Sequence, residues 1–161
     1  MGVPKVFESM SRTLIMNSGA CKKRDEVLSR VKELFDMLYR QMFGKHDDKI
    51  AYCPRSKVEA QQVLAVSAEI SSCLHSLVSL LPKFAVSEKS EPVAQIVAVP
   101  IAYFFFYVDE VLYARFPELV PDGFKESGNY VSSCNLSDAI IKRKDLDELK
   151  ALLKTTFEKL R

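Results

Sequence analysis

Cysteine, histidine and paired carboxylates are the residues that could do chemistry in this chain, and their spacing leaves them little to do. Cys21, Cys53, Cys73 and Cys134 lie far apart, with neither a CxxC pair nor metal-ligand spacing. They read as reduced thiols rather than as a disulfide frame or a zinc site. Cys53 has the best surroundings for a reactive thiol. It sits just before a helix start, with Arg55 and Lys57 nearby, and both features favour thiolate. No base is placed beside it. His46 falls in a polar loop, and a strong helix start at Ser56 separates it from His75, so the two do not form a ligand pair. Cys73 and His75 stand two residues apart on one helix, about 200° around its axis, and cannot meet as a dyad. Asp47-Asp48 and Asp109-Glu110 are neighbours in sequence and read as loop and helix-end charge. Phosphate-binding glycine loops, HExxH, GxSxG and calcium-loop patterns do not occur. The expectation is no catalytic residue, no metal site and no cofactor.

Charge is more informative than reactivity. The total is balanced, with 23 basic and 21 acidic residues among 161. Along the chain it is uneven: net +4 over residues 1–24, −4 over 25–137 and +2 over 138–161. Two basic triplets stand out, Lys22-Lys23-Arg24 and Lys142-Arg143-Lys144. If they met in space, they could hold phosphate or an acidic partner. The opposite extreme lies between them. Val58–Val108 carries 6 charges in 51 residues, whereas the other 110 residues carry 38. Within that stretch, the face of the second helix turned from its apolar stripe holds Gln62, Ser72, Ser76 and Ser79, with Ser67 and Ser71 round another edge. A free surface helix normally displays Lys and Glu there, while interface centres are depleted of charge. Gln62, Ser72, Ser76 and Ser79 are therefore the candidate partner-binding residues. The competing reading makes helices two and three the most enclosed pair of one bundle.

The elements that position these residues follow from apolar spacing. Phe7, Met10, Leu14 and Ile15 suggest a short helix, or an arm that orders on docking, closed by Asn17-Ser18-Gly19. Residues 1–24 are thus set apart as a basic arm from a bundle domain over 25–161. Val27, Leu28, Val31, Leu34, Phe35, Leu38, Tyr39 and Met42 form one stripe of a helix from about Asp25 to Phe43, stopped by Gly44. Ser56-Lys57-Val58-Glu59 has capping-box spacing and opens a second helix to about Leu81. A third apolar stretch runs from Glu91 to Phe116, where Pro100 should kink a helix by deleting a backbone donor. Its uncharged part, Val93–Val108, would span roughly 24 Å, short of a ~30 Å hydrocarbon core, so a membrane crossing is not expected. Pro117–Cys134 reads as a long loop. Leu136–Arg143 suggests a short helix before the amphipathic C-terminal one carrying Leu146, Leu149, Leu153, Phe157 and Leu160.

These patterns predict an all-α single-domain bundle of four or five main helices. The N-terminus lacks the apolar run of a signal peptide, and Val6 stands where a myristoylation motif wants Ser or Thr. A cytoplasmic protein is expected, with the nucleus as alternative. The leading functional expectation is a non-enzymatic protein-interaction module, an adaptor or regulatory subunit. It would self-associate through the hairpin of helices two and three. The alternative is a small helical nucleic-acid-binding protein using the basic segments.

Overall fold

The computed structural model describes residues 3–44, 48–81, 92–126 and 139–161, with side chains from residue 19 onward and excluding 125–126. His46, Tyr130, Cys134 and the Asn135-x-x-Asp138 helix-start signal lie outside the described residues. The fold is all-α. Its elements are α1 (Val3–Phe43), β1 (Ala51–Tyr52), α2 (Lys57–Leu80), α3 (Val93–Phe104), a π-helical turn (Phe105–Asp109), α4 (Glu110–Arg115), a 3-10 turn (Pro117–Leu119), α5 (Asp122–Glu126), β2 (Ile141–Lys142) and α6 (Arg143–Leu160).

The apolar stripes read from the sequence form the core. Leu28, Val31, Leu34, Phe35, Leu38 and Met42 of α1 are buried, as are Val63, Ile70, Leu74 and Leu77 of α2. Val93, Ile96, Val97 and Phe104 of α3 close the centre, with Leu146, Leu149, Leu153 and Leu160 of α6. Phe104 meets Phe35 edge-on, ring centroids 6.0 Å apart, a favoured aromatic geometry. Helices α1, α2, α3 and α6 surround this core in that order. α1 and α6 touch least. Arg30 of α1 reaches Glu69 of α2 at 2.8 Å, and Ser67 of α2 reaches Asp109 beyond α3 at 2.7 Å. Arg24 meets Leu160, and Tyr39 meets Asp147. These pairings make α1/α2, α2/α3 and α1/α6 antiparallel, an up-down-up-down course.

Local chemistry sets the helix ends. Gly44 adopts φ +59°, the left-handed conformation that glycine takes cheaply, and its N–H donates to the Arg40 carbonyl at 2.7 Å, ending α1. The Ser56 hydroxyl accepts from the Glu59 N–H at 3.2 Å, half of the expected capping box. The other half is redirected. Glu59 accepts from the Arg55 N–H and from the hydroxyl of buried Tyr52, which holds the Glu59 carboxyl below its ordinary range. Ser56→Ala should therefore cost about 1 kcal/mol, read as a lower urea midpoint at unchanged slope.

Several expectations need correction. α1 runs through Asn17-Ser18-Gly19, so the helix does not stop there. Val93–Arg115 is one continuous helix of 23 residues with Pro100 inside it, so the helix does not break there. The departure from α geometry lies further on, at the π turn. Ile141–Lys142 is not helical. It pairs antiparallel with Ala51–Tyr52, because Arg143 N–H also bonds the Ile50 carbonyl at 2.9 Å and draws the segment alongside β1. α6 accordingly starts at Arg143. Ser67, read as the edge of a polar face, is fully buried because its hydroxyl serves Asp109.

Candidate interaction surface

The exposed residues of α2 are almost all small or uncharged. Gln61, Ala65, Ala68, Ser72, Ser76 and Ser79 line the side opposite Val63, Ile70, Leu74 and Leu77, and every one is exposed. Spacing explains it: steps of three and four keep both rows on fixed faces of a 3.6-residue helix. Of the four residues singled out from the sequence, Ser72, Ser76 and Ser79 belong to this row. Gln62, also exposed, sits on the flank toward α1, beside Glu69. The Ser76 hydroxyl donates to the Cys73 carbonyl at 2.6 Å and the Ser79 hydroxyl to the Ser76 carbonyl at 3.2 Å. Both hydroxyls are satisfied by their own helix, so the face is polar in composition but asks little of a partner. At one edge Ser76 and Ser79 border Lys23 and Glu26 of α1. Elsewhere the only exposed Asp, Glu, Lys or Arg on α2 are Lys57 and Glu69.

α3 extends the same surface. Ala94, Gln95, Ala98, Val99 and Ala102 are exposed opposite the buried Val93, Ile96, Val97 and Pro100. The row ends at Phe106, 56 % exposed. Phe105 beside it packs edge-on to Phe106 and stacks on Phe124 of α5, with centroids 5.7 and 6.0 Å apart. This aromatic corner was not singled out from the sequence, although Ala94, Ala98 and Ala102 at i, i+4 spacing opposite Val93 and Val97 carried the signal. Both hairpin helices are long and apolar enough to cross a membrane by length and composition, and each keeps an exposed face as well as a buried one. Their uncharged faces stay outside because α1 and α6 cover only the opposite side of the hairpin.

At the hairpin's inner side, the partly buried Asp109 accepts a hydrogen bond from fully buried Ser67. Burial pushes the Asp109 carboxyl up to about 6, against the hydrogen bond from Ser67 that lowers it. The π turn, which holds an extra residue per turn, ends at this carboxylate.

The two basic triplets do not come together. Lys22 and Lys23 are exposed, but Arg24 donates to the Leu160 carbonyl at 3.2 Å and so caps the C-terminal end of α6. Lys142 and Lys144 are exposed at the opposite end. Arg143 is committed internally: its Nε donates to the Tyr39 hydroxyl at 2.8 Å, a guanidinium N–H donates to the Lys49 carbonyl at 3.3 Å, and its plane lies over Tyr39 and Phe43. The 18 residues of α6 separate the triplets by about 27 Å. Arg143→Lys keeps the charge but loses the forked geometry. It should cost about 1 kcal/mol of stability, measured by urea unfolding.

Among the described residues, Cys21, Cys53 and Cys73 are free thiols. Cys53 is exposed with its Sγ toward the Pro54 carbonyl. Cys73 is partly buried, with burial raising its thiol above the ordinary range, and His75 beside it is exposed. Among the described residues, no group of three or more His, Cys, Asp or Glu side chains could hold a metal ion. Comparison with protein-family models, curated proteins and solved structures finds no match in any of the three.

Proposed function

We propose that this chain is a non-enzymatic helical interaction module that self-associates, laying the outer face of α2 and α3 against the same face of a second copy. The observation that carries this reading is exposure without charge across two adjacent helices. Leaving apolar Val99 and Phe106 in water has a cost, and large exposed apolar patches are characteristic of contact sites.

A second copy fits this face for two reasons. In a twofold contact each patch meets itself, so a net charge of one sign on it would be repelled by its copy. This patch has almost none to oppose. Ala and Ser side chains also let helix axes approach to the close end of the ~8–10 Å packing range. The area suffices as well. The 24 residues of α2 span about 36 Å, and two packed helices are about 20 Å wide, giving roughly 700 Å² per copy. Standard stable interfaces bury about 800 Å² per partner.

The nucleic-acid reading rests on Lys22, Lys23, Lys142 and Lys144, split between two ends of α6, and no observation favours it over self-association. Its fair test uses Lys142→Ala and Lys144→Ala, sparing Arg143. Light scattering on the purified chain tests the main reading. A dimer supports it, while a monomer that instead floats with lipid vesicles overturns it in favour of a membrane contact.

A further inference from the structure

We propose that the groove between α1 and α6 is a binding site for a long-chain carboxylate. The groove exists because the two helices are tied near both ends and part between them. Arg24 holds Leu160 at one end, and the Arg143–Tyr39–Asp147 cluster holds the other. The space between is about 560 Å³, within the ~300–1,000 Å³ usual for small-molecule sites. Phe35 and Leu153, both buried, and half-buried Phe157 line its apolar floor, against which part of an aliphatic chain can lie.

The charged walls favour an anionic head. Lys32 lines one wall and Lys150 and Lys154 the other, all exposed. The anchored ends set the register: Arg24 opposite Leu160 and Tyr39 opposite Asp147 bring Lys32 level with Leu153 and Lys154. Two ammonium groups thus approach one stretch from opposite sides, and none of the three lysines makes an ion pair among the described residues. The walls also carry Arg161, which adds a fourth cation, and the acids Asp36, Asp147 and Glu158, the last one turn beyond Lys154. Asp147 accepts from the Tyr39 hydroxyl at 2.8 Å, and the same register sets Asp36 level with Lys150, a turn away from the Lys32–Lys154 pair. A carboxylate between Lys32 and Lys154 would gain two cationic partners while its chain lies against Phe35, Leu153 and Phe157.

Calorimetric titration of the full chain with dodecanoate below its micelle threshold, beside dodecanol, tests this. One dodecanoate per chain should bind, at least tenfold tighter than dodecanol. The double variant Lys32→Ala/Lys154→Ala should weaken it tenfold or more. Ala151→Trp should block it by filling the groove from an exposed wall position. Ser72→Glu, on the opposite hairpin, should leave it unchanged even if it alters self-association. Equal binding of dodecanol, absence of dodecanoate binding, or binding that survives Ala151→Trp would overturn the proposal.

Discussion

Asp109→Asn should make the protein more stable at pH 7.5, by about 2 kcal/mol, while leaving it little changed near pH 4. The Asp109 carboxyl is pushed up to about 6 by burial, against an ordinary value near 3.8. The folded state thus prefers the protonated acid. Its contribution to stability is complete below the unfolded value, falls as pH rises, and is lost once pH passes about 6. Two units of displacement correspond to almost 3 kcal/mol, reduced here to about 2 because the side chain is only partly buried. Asparagine keeps the volume and the oxygen that accepts from Ser67, without a charge to ionise. Glu59, held low mainly by the Tyr52 hydroxyl, works in the opposite direction, so total stability need not fall monotonically with pH. The informative quantity is the difference between variant and wild type, from urea unfolding at matched pH. It should open between pH 4 and 6 and level off above 7. A difference that stays constant with pH would mean that Asp109 is fully solvated.

How much of this could be read from the sequence depended on the range of the interaction. The stripes of α1, α2 and α6 were legible because burial follows a period of 3.6 residues, and so was the Ser56 cap, which is settled within one turn. The uncharged face of α2 was legible for the same reason. What failed was long-range. Ser67 looks like a surface serine until Asp109, 42 residues away, is brought to it. Ile141–Lys142 looks helical until β1 pairs with it. Arg24 and Arg143 looked like available cations, yet a helix end and two aromatic rings had already taken them. Pro100 was legible as a proline inside an apolar helix, and the helix runs on through it. The π turn at Phe105–Asp109 has no signature in a single sequence.

The largest effect should come from placing charge on the hairpin. Ser72 lies near the middle of α2 on its outermost line, and Ala65 two turns before it, both exposed. Glutamate at either position suits a helix, so the chain should fold as before. In the proposed contact the new carboxylate would be buried in a face that offers almost no cation to pair with it, and an unpaired buried charge costs several kcal/mol. At ~1.4 kcal/mol per tenfold, a cost of about 3 kcal/mol weakens association on the order of 100-fold. Phe106→Ala removes the exposed aromatic side chain at the end of the α3 row and should weaken association without new repulsion. Lys57→Glu, at the start of α2 and away from the middle of the row, should change little.

Sedimentation equilibrium of the wild-type chain and Ser72→Glu over a concentration series up to about 100 μM is the most direct measurement. The proposed self-association requires a mass approaching twice 18.2 kDa for the wild type and the single-chain mass for the variant, with identical circular dichroism. A wild-type mass that stays at 18.2 kDa across the series, or a Ser72→Glu variant that associates as strongly as the wild type, would contradict it.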